Sequence, residues 1–220
     1  EDPYALRRSA AGIISILNEC KIHLPISWLI TESVLLLKDN GLLRQSSEKV
    51  ISDVTDWLGQ RIKSSLIDKK IRYDLIDAVM AIGFDDVPNT HKRAKALQEI
   101  SITKEFALAC TGYTRASRLV GDANYGDVDP SLFSEPAEKN LFDSLCIVKE
   151  SICKMLNEKN YYSILSALSQ LAEPIDVFFK DVLVMTEDKK VRNNRLALLS
   201  CIASLSREIA DLGEVVEKVV

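Results

Sequence analysis

The stretch EDKKVRNNRLALLSCIASLSREI, residues 187–209, decides the fold class. On a helical wheel Val191, Leu198, Ile202, Leu205 and Ile209 fall on one stripe, the spacing of a helix that buries a face. Arg195 falls in the middle of that stripe. A guanidinium there must be paired internally, reach around to water, or serve a ligand. The central position favours the internal pair, with Asp176 or Asp181 in the preceding short helix as the expected partners.

The same period runs along the whole chain, broken only by eight glycines and six prolines. It predicts helices at 3–21, 27–40, 47–68, 72–83, 89–101, 103–121, 135–159, 161–171, 174–185 and 187–211. The fold class is all-α, a helical bundle. Several ends follow from local chemistry. Asp2 before Pro3 supplies a cap acceptor followed by a proline at the first helical position. Asn40-Gly41 can close a helix through a left-handed residue. Pro88 starts a new helix with Asn89 or Thr90 as cap, and Glu173-Pro174 interrupts what would otherwise be one helix. The segment VFFKDVLVM, 177–185, is the one stretch that could also be a strand. Residues 121–140, GDANYGDVDPSLFSEPAEKN, read as a hinge, a binding loop, or a connector held down by Phe133, with the connector favoured.

At 220 residues and 47% hydrophobic content the chain can bury one large core or two modest ones. Its five cysteines form no Cys-x-x-Cys pair, and only Cys20 has a histidine close in sequence, His23, which leaves buried free thiols in a reducing compartment as the expected state. No apolar run is long enough to span a membrane, and the opening EDPYALRRSA has neither a signal peptide nor an initiator methionine, so a fragment of a longer protein is expected. No catalytic motif is evident. The two histidines, His23 and His91, sit in no nucleophile motif, there is no glycine-rich phosphate loop, and the carboxylate pairs Asp85-Asp86 and Glu187-Asp188 fall where helix ends need capping.

Charge is uneven. The net charge is −4, yet residues 88–121 hold six cations against two acids, and residues 189–207 hold five cations and no acid. An acidic body presenting basic elements is the footprint of a polyanion-binding face, although a solvated helix face has the same composition.

Three blocks carry a resemblance. DPYALRRSAAGIISIL (2–17), VDPSLFSEPAEKNLFDSL (128–145) and LAEPIDVFFKDVLVMTEDKKVRNNRLALLSCI (171–202) resemble, in order and spacing, the C-terminal part of the β subunit, or β-like region, of bacterial-type glycyl-tRNA synthetase. The resemblance implies a helical body segment over 1–100 and, over 101–220, a helical anticodon-binding domain of the class named after its Asp-Ala-Leu-Arg motif. It implies recognition of tRNA(Gly), a partner α subunit or α-like catalytic region, and dimerisation through the full-length enzyme. No cofactor is expected in this segment, since ATP and glycine would be used at a catalytic centre elsewhere in the enzyme. No membrane partner is expected, and the compartment implied is the chloroplast stroma or, alternatively, a bacterial cytoplasm.

Unpaired bases are splayed out, stacked on aromatic or guanidinium planes, and read on their edges. The candidate contacts are therefore Arg192 and Asn194 at the start of the last long helix, Arg195 if it is not internal, the pair Arg115 and Arg118 three residues apart, and Lys92 with Arg93. Phe178 and Phe179 read as core before stacking platforms. A rival reading is a protein-docking module without RNA contact, built on residues 22–58 with LPISWLI and Trp57.

Overall fold

The computed structural model describes residues 4–121 and 123–216. Among them the chain forms ten α-helices, two single turns of 3-10 helix at 130–132 and 212–214, and no strand. The all-α reading stands. In chain order the helices are α1 (Leu6–Glu19), α2 (Ile26–Asp39), α3 (Ser47–Asp68), α4 (Tyr73–Ala81), α5 (Val87–Ile100), α6 (Lys104–Val120), α7 (Pro136–Asn157), α8 (Tyr161–Ser169), α9 (Ala172–Asp181) and α10 (Lys189–Ser206). No helix of the described residues is long and apolar enough to cross a membrane.

The chain divides into two compact units, Glu1–Lys95 and Ala96–Val220. In the first, α3 is the spine, with α1, α2 and α4 packed on it. Ala10, Ile14 and Leu17 from α1, Ile26, Ile30 and Val34 from α2, Ile62 and Leu66 from α3, and Leu75, Ile76 and Val79 from α4 are buried there. The helix ends are set by side chains that satisfy orphan amides. Ser46 accepts from the Lys49 N–H at the start of α3. Gly41, at φ 68°, closes α2 as the sequence suggests. The Asp85-Asp86 pair is structural. Asp86 accepts from the Asn89 N–H and caps α5, while Asp85 accepts from both the N–H and the hydroxyl of Ser27 at the start of α2. The cap of α5 is thus Asp86, not Asn89 or Thr90, because α5 begins at Val87 and Pro88 sits in its first turn.

The second unit is built around α10, in which every residue from Asn194 to Leu199 is buried. It packs on α6 and α7, and α6 also carries α8 and α9. Phe106, Tyr113, Leu141, Ile152, Ile164, Leu165 and Phe178 are fully enclosed. Truncating any of these apolar side chains to alanine would cost about 2–5 kcal/mol. Tyr113 keeps its phenol satisfied by donating to the Leu168 carbonyl at 3.1 Å, and burial pushes its pKa far above the usual phenol range. Gly112 lets α6 and α9 touch, since a Cβ there would come within 2.7 Å of Ile175 Cγ2.

Three expectations are corrected, and a fourth falls outside the described residues. VFFKDVLVM is helical only as far as Asp181 and then leaves the helix. The break before α9 falls at Gln170–Leu171, and Pro174 is accommodated as the third residue of α9, where its missing N–H had no intrahelical acceptor. The thiols are free but not uniformly buried: Cys20, Cys146 and Cys153 are exposed, and only Cys110 is enclosed. Asp2 and Pro3, expected to start α1, lie outside the described residues, and α1 begins at Leu6.

Candidate nucleic-acid interface

The start of α10 is an internal hub. Asp188 caps the helix, accepting from the N–H groups of Lys190 and Val191. One turn in, Arg195 is only 6% exposed. Its Nε donates to Glu138 Oε1 at 2.9 Å, its Nη2 donates to Ser134 Oγ at 2.8 Å and to Glu138 Oε2 at 3.3 Å, and its Nη1 donates to the Leu183 carbonyl at 2.9 Å. Arg195 is therefore the internal tie that its place on the stripe suggests, and it is not presented to a ligand. Its partner is neither Asp176 nor Asp181. Asp176 is exposed and bonded to Lys180, one turn on in α9, at 2.6 Å.

Glu138 is wholly buried at the start of α7. Burial by itself would raise its pKa. The bond from Arg195 and the N–H groups of Glu135 and Ser134, which donate to Oε2 at 2.8 and 2.9 Å, outweigh that cost and hold the carboxyl below its ordinary value.

Asn194 has the second structural role. Its Oδ1 accepts from the Asp129 N–H at 2.7 Å and its Nδ2 donates to the Asp129 carbonyl at 2.9 Å, so both ends of the amide are spent on one backbone residue. The expectation of tRNA contact at Asn194 is corrected accordingly. With Phe133 packed edge-on against Phe142 at 5.6 Å, this clasp makes the glycine-rich segment a tied-down connector. Arg192, beside this hub, is half-buried, and its Nη1 makes only a long 3.5 Å contact to the Thr186 carbonyl.

In the first unit Arg93 is likewise turned inward. It is 7% exposed and donates to the carbonyls of Val79 and Gly83, the acceptors left over at the C-terminal end of α4. Phosphate contact by Arg93 is corrected to a helix-capping role, whereas Lys92 is exposed on α5.

Two of the candidate cations come together on an open surface. Arg115 and Arg118 are both exposed on one face of α6. They line a groove of about 840 Å3 closed on the other side by Gly213–Val216. Arg115 also borders a second groove, of about 460 Å3, between α6 and α9, and its guanidinium lies 4.0 Å from the centroid of the Phe179 ring. That cation–π geometry orients the guanidinium plane while leaving the side chain accessible. The crossing at Gly112 and Ile175 produces it: Arg115 is three residues beyond the glycine and Phe179 four beyond the isoleucine, so the close approach brings them face to face one turn along. The sequence reads both phenylalanines as core. Phe178 is there, and Phe179 is half-exposed. No local signal marks Phe179 as a platform.

Residues 1–81 match the family described as glycyl-tRNA synthetase beta subunit, and residues 111–216 match the DALR anticodon binding domain. The chain is 35% identical over 216 residues to the glycine–tRNA ligase beta subunit of Desulforamulus reducens, covering 98% of this chain and 31% of that protein. It is 35% identical over 218 residues to that of Clostridioides difficile, covering 99% of this chain and 31% of the relative. Against the subunit of Halalkalibacterium halodurans the identity is 33% over 219 residues, covering 99% and 32%. The chain thus spans about a third of the length of the curated relatives it matches.

Proposed function

The chain belongs to the glycyl-tRNA synthetase β-subunit family and carries a DALR-type anticodon-binding domain, and from that premise we propose that it recognises the anticodon region of tRNA(Gly) and positions the tRNA for a glycine–tRNA ligase centre outside this segment. The observation that carries the reading is the paired exposure of Arg115 and Arg118 beside an open groove, inside the residues matched to the anticodon-binding family. Two guanidiniums three residues apart on one helix face suit successive phosphates of a single-stranded loop, which position the RNA without specifying its sequence. Arg192 and Lys92 remain as further phosphate contacts.

In this reading residues 1–100 are the body and 101–220 the RNA-binding part. ATP and glycine are assigned to an α subunit or α-like region, dimerisation to the full-length enzyme, and the compartment to the chloroplast stroma with the bacterial cytoplasm as alternative. Import of the tagged full-length protein into isolated plastids decides the compartment.

A specific observation also favours protein docking by the first unit. Trp28, Leu35, Leu36 and Leu42, on and just after α2, are 52%, 42%, 64% and 66% exposed, and a helix apolar on most of its circumference is ordinarily covered. This observation concerns the first unit, whereas the RNA reading rests on the second.

Binding of the glycine anticodon stem-loop, measured by fluorescence anisotropy against a stem-loop of unrelated anticodon at two salt concentrations, tests the RNA reading. Preferential, salt-sensitive binding supports it, and equal or absent binding overturns it.

A further inference from the structure

Building on the tRNA reading above, we propose that the groove between α6 and α9 is a pocket for one unpaired base and selects cytosine over uracil, with the Arg115–Phe179 pair as stacking platform and Glu173 as the edge reader. The groove, about 460 Å3, is roomy enough for a nucleobase and lies within the described residues of the second unit. Its shape is fixed from below by the Gly112–Ile175 contact, where there is no space for even a methyl group.

The platform is already assembled. Arg115 lies against Phe179 at 4.0 Å and Phe179 is braced edge-on by Phe178 at 5.7 Å, which is itself fully buried. A planar base gains by stacking on a guanidinium or aromatic plane whatever its identity, so the platform supplies affinity and the rim must supply choice.

The rim is rich in acceptors. Glu173, in the first turn of α9, Asp176 and Gln170 line the groove, as does Glu105 from the start of α6. Glu105 stands ten residues before Arg115 along α6 and Asp176 Oδ2 is bonded to Lys180, so Glu173 is assigned as the reader. A carboxylate accepts from the exocyclic amine of cytosine and faces the corresponding carbonyl of uracil with like polarity. The Gln170 amide can donate to the ring acceptors of cytosine.

Arg115 lines this groove and the wider one that also holds Arg118. One side chain therefore lies between a seat for a base and a seat for its phosphates, as a chain that turns a base out of its stack requires.

The test uses the 220-residue chain and glycine anticodon stem-loops in which the two cytosines at the last two anticodon positions are replaced singly by uracil. The expected result is that the parent chain discriminates about tenfold or more at one of the two positions. Glu173→Gln should reduce that ratio to within about threefold, because an amide can accept from the cytosine amine or donate to the uracil carbonyl. Phe179→Leu should weaken all loops together by about five- to a hundredfold, with an unchanged thermal melt. Discrimination and affinity that both survive the two changes overturn the pocket while leaving the tRNA reading intact. Absence of stem-loop binding by the parent chain overturns both. Should Phe179→Leu fail to fold, the exposed Glu173→Gln variant decides alone.

Discussion

Arg195 and Glu138 stand 57 positions apart and are joined twice in the interior of the second unit, Nε to Oε1 at 2.9 Å and Nη2 to Oε2 at 3.3 Å. Removing one partner strands the other charge where water cannot reach it. Arg195→Ala should therefore lower unfolding stability by about 3–5 kcal/mol in urea titrations, whereas Asp176→Ala, which breaks only an exposed pair, should change it by about 0.5 kcal/mol or less. The double change Arg195→Ala with Glu138→Ala should be less damaging than the sum of the two single changes. Simple additivity would mean that the two residues are not coupled.

The same pair makes stability depend on pH in the acid range. The carboxyl of Glu138 is held below its unfolded value of 4.5 because the bonds from Arg195, Glu135 and Ser134 outweigh the desolvation that opposes them. A carboxylate with a depressed folded pKa contributes its full stability above the unfolded value and loses it as pH falls through the folded value. The parent chain should therefore lose stability below about pH 4.5 more steeply than Glu138→Gln, in melts taken at successive pH values. Parallel curves would contradict this.

His91 acts in the same direction at higher pH. It is 7% exposed, with Nδ1 against the Val87 carbonyl at 3.0 Å and Nε2 against Ser65 Oγ at 3.0 Å. Burial, the dominant influence, lowers its pKa from 6.5, so the neutral form is favoured on folding. That contribution is complete above about pH 6.5 and declines as pH falls toward the folded value. Stability measured between pH 7 and 5 should fall in the parent chain and stay flatter in His91→Gln.

Asn194 holds the connector by Asp129, both backbone groups at once. Asn194→Ala leaves those groups to find water, at a cost of about 1–3 kcal/mol. Amide hydrogen exchange should accelerate around 127–133 first, with α6 and α7 protected as before. Unchanged exchange there would mean that the clasp does not hold the connector.

Arg115 and Arg118 should behave in the opposite way to Arg195. Changing both to glutamate leaves buried side chains untouched, so the melt should move by about 0.5 kcal/mol or less, while affinity for all tRNAs falls by similar factors. Each phosphate that is no longer neutralised should also flatten the plot of log K against log salt by about 0.7. Loss of folding in this variant would show the pair to be structural.

The sequence by itself determined the elements and most of their ends. The stripe through α10, the Asn40-Gly41 stop and the Asp188 cap are relations between residues a few positions apart, and helix geometry converts such spacing directly into a shared face or a satisfied amide. It also favoured an internal pair for Arg195, because an unpaired charge on a buried stripe is too costly to leave. The tertiary structure alone decided with whom. Glu138, Asp129 and Leu183 reach the start of α10 only after α7 and the two connecting segments have folded against it, and nothing in the local pattern separates Glu138 from the nearer Asp176. Packing likewise sorted the basic residues, turning Arg93 inward to the end of α4 and leaving Arg115 and Arg118 in the open. It set Arg115 over Phe179 through the close approach of two helices at Gly112. Charge composition records which residues carry cations, but whether a cation ends in a core bond or over a groove depends on distances that only the folded chain creates.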